Sequence, residues 1–307
     1  VAGSVLGHNG AMKLCVDIGG TKLAVSVVRD GVPSERQVAP TPQGPNPNAL
    51  GEALTSLIGQ VCRSHGHAPG PQGIEAIGVS SCGPFRRVDG LIELAAPNVV
   101  GAGRSAQLEA PLRTLSPQVR IENDAVAALE AERRWGALQG QAHCAYVTWS
   151  TGIGVGLCVD GRTLRGKNGN AGHAGHSFTV SEAAALCGCG LQGDVESIAG
   201  GGSVQRQWAR TPQSLLEAAT AGEPEALALV DRQCEAVGKM LFNLVVTLDL
   251  QAIALGGSIF WNHQAWLLPR LQGWLEGRLP ALSDGVRLLP AGLGERVGDY
   301  GALALLD

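Results

Sequence analysis

Two short segments carry much of the chemistry that this sequence can offer. They are Asp17-Ile18-Gly19-Gly20-Thr21-Lys22 and Ser150-Thr151-Gly152-Ile153-Gly154. Glycine lets a backbone turn come close to a ligand, and successive N–H groups in such a turn form a concave anion site. Thr21 and Thr151 add hydroxyl donors, and Lys22 adds a positive charge. Either turn alone reads first as an ordinary hairpin. As a matched pair, with Thr21 and Thr151 lying 130 residues apart, they suggest a nucleotide's phosphate tail gripped from both sides. Asp17 closes the strand before the first turn, where a carboxylate can serve phosphate-bound Mg2+ through water. Leu255-Gly256-Gly257-Ser258 is a third glycine cluster, suited to close helix–strand packing or to a flat surface for adenine and ribose. Glu122-Asn123-Asp124 stands at a strand-to-helix junction. Asn and Asp are favoured helix caps, but an Asp facing two phosphate turns can also take a hydroxyl proton in phosphoryl transfer.

The elements that must position these residues are legible from periodicity. Residues 13–18 and 22–28 read as strands around the first turn, ending at Asp30-Gly31; residues 144–150 and 155–159 do the same around the second, ending at Asp160-Gly161. The shared order of strand, Gly/Thr turn, strand and Asp-Gly predicts an internal duplication. Apolar residues at helical spacing predict helices over 50–62, 105–115, 124–138, 224–250 and 263–278. Strands are expected at 73–81, 118–122, 252–256 and 286–290, and a hairpin at 87–94. The resulting expectation is an α/β chain with an N-terminal lobe over 13–122, a C-terminal lobe over 123–298 and a closing helix (299–307) on the first lobe. Residues 1–12 read as a tag or an extended N-terminus, with Met12 as the native start. A ligand belongs in the cleft between the lobes.

Composition narrows the function classes. Of 307 residues, 45% are hydrophobic and 16% charged, so the chain can bury a core; net charge is −4 and no basic run exists, which argues against nucleic acid as a partner. No apolar stretch is long enough for a membrane span, and no signal peptide is evident, so a cytoplasmic location is expected. The eight cysteines do not look like a secreted disulfide framework. Most lie in apolar runs and read as buried thiols. Cys187 and Cys189 form a Cys-x-Cys pair and stand apart.

DIGGTK, END, STGIG, the GxxGxAGxxGH stretch (166–176), CxCGxxG and LGGS occur in the order typical of the ROK family, and the resemblance covers Lys13 to Leu306. That family holds bacterial sugar kinases and sugar-responsive repressors. The resemblance implies a two-lobed actin/hexokinase-like ATPase fold of duplicated ribonuclease H-like domains. It makes the first two turns the ATP-phosphate site, Asp124 the catalytic base, and Asn98 and Asn123 sugar-hydroxyl ligands. It implies a structural Zn2+ on His176, Cys187, Cys189 and Asp194, the last replacing a family Cys; Zn2+ accepts carboxylate oxygen. It assigns Glu196 to the sugar, and His176 to both sugar and metal. His173 replaces a family Glu that contacts sugar hydroxyls, and some N-acetylmannosamine kinases share that Gly-His-x-Gly-His pattern. Because a His can donate where an ionised Glu only accepts, His173 is expected to donate to an acetamido oxygen. Cys82 and Ser150 stand where the family often has Pro and Gly. The implied activity is ATP- and Mg2+-dependent phosphorylation of a sugar 6-hydroxyl, favouring N-acetylmannosamine. Glucose or mannose is the alternative, and a non-catalytic sugar-binding relative a distant one. A repressor is disfavoured, because no helix-turn-helix precedes Asp17. The family implies a homodimer or larger homo-oligomer.

Overall fold

Apolar runs of five to eight residues, bounded by glycine and polar turns, fold here as strands because both faces find cover. In the computed structural model, which describes residues 11–179 and 185–306, the first half runs through β1 (Met12–Ile18), β2 (Lys22–Arg29), β3 (Val32–Pro40), α1 (Ala49–Ser64), β4 (Ile74–Ser81), β5 (Phe85–Val88), β6 (Leu91–Leu94), α2 (Pro97–Val100), β7 (Ala106–Gln107), α3 (Glu109–Arg113), β8 (Gln118–Asn123) and α4 (Asp124–Trp135). The second half has β9 (Cys144–Trp149), β10 (Ile153–Val159), β11 (Arg162–Thr163), a 3-10 turn at Ala174–His176, α5 (Val195–Ala199), α6 (Gly201–Trp208), α7 (Pro212–Thr220) and α8 (Pro224–Leu248). It closes with β12 (Ala252–Gly256), α9 (Ser258–Asn262), α10 (Gln264–Leu275), α11 (Pro280–Ser283), β13 (Arg287–Pro290) and α12 (Val297–Ala304).

The expected duplication is written into the sheets. One has the order β3-β2-β1-β4-β8 and the other β11-β10-β9-β12-β13. In both, the first three strands are antiparallel and the last three parallel, so each Gly/Thr turn joins the central strand to its antiparallel neighbour. Leu14, Val16 and Ile18 of β1 pack into one core with Leu54 and Ile58 of α1. Val147, Val155 and Leu255 pack into another with Val237 and Leu241 of α8.

Helices α4 and α12 cross between the sheets. Helix α4 follows β8 of the first sheet, yet its Ala125, Ala128 and Leu129 pack on Tyr146, Cys144 and Cys158 of the second. Helix α12 comes from the second half, and its Ala302 and Leu303 cover Cys15 of β1. A Cβ built on Gly156 would lie 2.4 Å from the Ala125 carbonyl oxygen, so glycine is what allows α4 to lie this close to β10.

The helix expected over 105–115 is cut short. Ala106 pairs with Leu94 to extend the hairpin into the three-stranded sheet β5-β6-β7, and only Glu109–Arg113 is helical. Pro111 explains the difference: in the interior of a longer helix it would lack the N–H for a bond to residue 107. The helix expected over 263–278 begins after His263 and ends at Leu275. Of the expected N-terminal extension, residues 1–10 lie outside the described residues, as do residues 180–184 in the loop before Cys187. No described helix is long and apolar enough to cross a membrane.

Candidate active site

The first turn has its carbonyls tied back. Gly19 N–H donates to Lys22 O at 2.8 Å, Thr41 Oγ1 to Gly19 O at 2.8 Å and Gln43 Nε2 to Gly20 O at 2.8 Å, while Thr41 N–H reaches Thr21 O at 3.0 Å. Thr21 and Lys22 are exposed beyond them. Asn98, on α2, places its Nδ2 3.1 Å from where a Cβ on Gly20 would stand. At the end of β1, Asp17 Oδ2 accepts from Arg36 Nη2 at 3.0 Å. Burial lifts Asp17 above the usual carboxylate range despite that guanidinium.

The second turn is held differently. Ser150 N–H donates to Gly152 O at 3.0 Å, and the N–H groups of Gly201 and Gly202 reach Ser150 O and Thr151 O, each at 2.9 Å. Ile153 N–H donates to Glu196 Oε2 at 2.8 Å. Beside Thr151 opens a cavity of about 350 Å³, lined by Gly201, Gly202, Gln205, Asn262 and His263 among others. Sequence reasoning missed these residues; the run Gly200-Gly201-Gly202 before a helix was the signal available. Gly256 and Gly257 pack against Tyr146 and Trp149, and Ser258 and Ile259, next in the chain, line the cavity.

Asp124 begins α4 between the two turns. Asn123 Oδ1 caps the helix by accepting from Ala125 N–H at 3.0 Å, and Asp124 Oδ1 accepts from the same N–H at 2.8 Å. Burial, helped by the charge of Asp17 and opposed by the Ala125 N–H, pushes Asp124 up to about 6. A carboxyl that is ionised at neutral pH yet basic enough to take a proton suits a general base. Burial and the carboxylates of Asp124 and Asp17 push the Cys82 thiol up, keeping it protonated beside them. Across Gly83, the amide of Asn123 and the ring of His173 converge: Asn123 Nδ2 and His173 Nε2 each lie 3.1 Å from its Cβ position.

His173 corrects one expectation. Its Nδ1 faces the carbonyl oxygen of Asn170 at 3.0 Å. An imidazole nitrogen facing a carbonyl must carry the proton, so Nε2 of the neutral ring is an acceptor. Burial lowers the pKa of His173, which disfavours the doubly protonated ring. His173 therefore offers the site an acceptor, as the Glu it replaces would, and not the expected donor to an acetamido oxygen. Asn170 also bonds Phe85 through both side-chain ends, each at 2.8 Å, joining this loop to the hairpin of the first half.

The metal-type residues gather as the family resemblance implies. The ligand atoms of His176, Cys187, Cys189 and Asp194 all lie within 4.8 Å of one another. His176 Nδ1 is 2.8 Å from Asp194 Oδ2, 3.6 Å from Cys189 Sγ and 3.8 Å from Cys187 Sγ. A tetrahedral Zn2+ with ordinary Zn–S and Zn–N bonds sets S···N at about 3.5 Å, so the donor set fits such an ion. Asp194 Oδ1 caps α5 through Ser197 N–H at 2.8 Å, which fixes the other oxygen toward His176. Cys187 Sγ also reaches Glu196 Oε1 at 3.2 Å. Glu196 thus links this cluster to the second turn.

The model of the ROK family matches residues 13–307. The chain belongs to the ROK family. An N-acetylmannosamine kinase of Pasteurella multocida (strain Pm70) is 29% identical over 283 residues, spanning 90% of this chain and 87% of that protein. A glucokinase of Aeropyrum pernix is 30% identical over 317 residues, spanning 95% of each. Among solved structures, a ROK hexokinase from Thermus thermophilus superposes with a TM-score of 0.76 at 32% identity, covering 96% of this chain and 98% of that one. The fold of this ROK protein is therefore the actin/hexokinase-like one that the resemblance implied.

Proposed function

We propose that this ROK protein is an ATP-dependent sugar kinase acting on the 6-hydroxyl of a hexose or N-acetylhexosamine, with N-acetylmannosamine the favoured substrate. The carrying observation is Asp124, with a pKa raised to about 6, set beside Asn123 and close to both Asp17 and the end of the second turn. The similarity to N-acetylmannosamine kinases and to hexose kinases supports the same class.

In this reading the exposed Thr21, Lys22 and Thr151, with the N–H groups of Gly20 and Gly152, hold the ATP phosphates, Gly19 shapes the first turn through its bond to Lys22 O, and the cavity beside Gly201 and Gly202 takes the nucleoside. Gly256 and Gly257, packed on Tyr146 and Trp149, lead into Ser258 and Ile259, which line that cavity. Asn98, Asn123, His173, His176 and Glu196 orient the sugar. Asp124 takes the proton of the 6-hydroxyl as its oxygen forms the bond to the γ-phosphorus, and ADP leaves with the electrons of the broken P–O bond. Asp17 would hold phosphate-bound Mg2+, which would supply charge neutralisation on the phosphates. Closure of the two halves excludes water, which limits ATP hydrolysis.

His176, Cys187, Cys189 and Asp194 would hold a structural Zn2+ that fixes the start of α5, which carries Glu196. A thiol at Cys187 donates to Glu196 Oε1, whereas a metal-bound thiolate has no proton to give, so the loaded site frees that oxygen for a sugar hydroxyl. Glucose is the second reading, favoured by the acceptor face of His173, which matches the glutamate of glucokinases. A homodimer or larger homo-oligomer is proposed from family resemblance and is read by light scattering. The deciding experiment measures ADP release over a sugar panel. Sugar-dependent release, highest with N-acetylmannosamine, supports the proposal; release indifferent to sugar, or none with any sugar, overturns it.

A further inference from the structure

Strand alternation puts Asp17 of β1, Ala24 and Ser26 of β2 and Arg36 of β3 on one face of the first sheet. Ala24 pairs directly with Asp17, and its small side chain leaves a path over β2. Arg36 uses that path, reaching from the edge strand to Asp17 two strands away, with Nη2 3.0 Å from Oδ2. Its other nitrogen, Nη1, bonds Oδ1 of Asp299, which is only 3% exposed on α12. Ser26 Oγ donates to the same Asp299 oxygen at 3.2 Å. One guanidinium therefore serves two carboxylates from different halves of the chain.

The edge strand is bent at this point. Val25 pairs with Gln37, but Val27 pairs with Ser34, so β3 carries one extra residue. Such bulges bend a strand and recur next to functional sites. Glu35 in the bulge has φ +53°, a left-handed conformation uncommon for a residue with a side chain. It is held there by Arg29 Nε at 2.8 Å and His65 Nε2 at 2.9 Å. Helix α12 meets the same group, since a Cβ on Gly298 would lie 2.7 Å from the Asp17 carboxylate.

We infer that Arg36 is a positioning residue that fixes the Asp17 carboxylate for the metal–nucleotide end of the site and ties it to α12 through Asp299. The inference rests on the kinase reading for what Asp17 does. Without Arg36, two carboxylates would face each other without a counter-charge, and Asp17 would be left free to turn away from the phosphate turn.

The test is calorimetric titration of ADP with and without Mg2+, on wild type and on Arg36→Lys, Arg36→Met, Asp299→Asn and the Arg36→Met/Asp299→Asn double variant, with melting curves alongside. Mg2+ should tighten ADP binding to wild type. In Arg36→Met that tightening should shrink by about tenfold or more, the scale of a charge-assisted hydrogen bond. Arg36→Lys should fall between, because an ammonium cannot fork to both carboxylates. The double variant should regain part of the effect, because a neutral amide on α12 no longer repels Asp17. A clip that only holds the edge strand would lower the melting temperature without changing the Mg2+ dependence, and that result overturns the inference. If Arg36→Met does not fold, Arg36→Lys carries the test, and wild-type Mg2+ dependence in it overturns the inference. Wild type that binds no ADP at any Mg2+ concentration overturns the kinase reading and this role with it.

Discussion

The two strand–turn–strand units hold the same place in their sheets but are braced by different chemistry. Around residues 19–22, neutral side chains take the carbonyls, and the charge lies in Lys22, Asp17 and Arg36. Around residues 150–153, a carboxylate takes the Ile153 N–H, and glycine N–H groups at the start of α6 take the carbonyls. Asp17 and Thr148 occupy matching positions, each one pair before the end of its hairpin, and only the first is ionisable. A duplicated fold unit therefore need not duplicate its chemistry. The first half carries the charged groups that the proposed function aims at phosphates; the second brings a cavity and a link, through Glu196, to the metal-type cluster.

The largest test falls on Asp124, where the two contributions meet. Asp124→Asn should cut kcat by about 10²–10⁴-fold with ADP and sugar binding retained. Wild-type turnover should fall as pH drops through about 6, where Asp124 takes up its proton. The same shift affects stability. The folded pKa lies above the unfolded value, so the fold penalises the ionised form; that penalty is absent below about pH 4 and complete above about pH 6. Asp124→Asn should therefore raise the melting temperature more at pH 8 than at pH 5. Near-normal turnover in this variant would remove Asp124 from the base role.

Metal removal addresses the second half alone. Elemental analysis should find about one Zn2+ per chain, and chelation or Cys189→Ser should lower the melting temperature by about 5–10 °C, since binding free energy at such a site is folding free energy. Activity should fall with it, because Glu196 is anchored beside the same ligands. Metal-free protein whose melting ignores a chelator would reduce the cluster to an ion pair between His176 and Asp194.

A smaller effect compares the turns directly. A Cβ on Gly152 would lie 2.7 Å from Glu196 Oε2, whereas one on Gly20 would lie 3.1 Å from Asn98 Nδ2. Gly152→Ala should raise KM for ATP by about tenfold by displacing the brace, and Gly20→Ala by only about two- to threefold, because an amide can shift. Equal losses would show that the two braces are equivalent. The smallest effect belongs to His173→Glu. It replaces one acceptor with another, so the ratio of kcat/KM for N-acetylmannosamine over glucose should change by less than about fivefold. A large selective loss of N-acetylmannosamine would restore the donor role that the Asn170 contact argues against.

Much of the fold could be read from the chain because the signals were local. Gly/Thr turns between β-branched runs marked both hairpins, and Asn123-Asp124 marked the start of α4. Cys187, Cys189 and His176 could be grouped, and Asp194 placed with them, on family resemblance. What stayed hidden depended on distant contacts. Pairing of Ala106 with Leu94 overrode a helical pattern across 105–115. Which nitrogen of His173 carries the proton is set by a carbonyl three residues earlier, through a loop conformation that composition does not encode. No local pattern marks Arg36, because its partners lie on β1 and on a helix 263 residues further on.

The crossing of α4 and α12 has a consequence for the integrity of the halves. A chain divided between Asn123 and Asp124 would leave the first sheet with Cys15 uncovered, and the second fragment would carry α12 with its apolar face unmatched. Neither fragment would be self-sufficient, yet each holds the complement of the other. Co-expressed, they should reassemble where Ala302 and Leu303 of α12 cover Cys15 of β1. The duplicated sheets thus behave as interlocked parts, and reconstitution of activity from two pieces would report directly on their association.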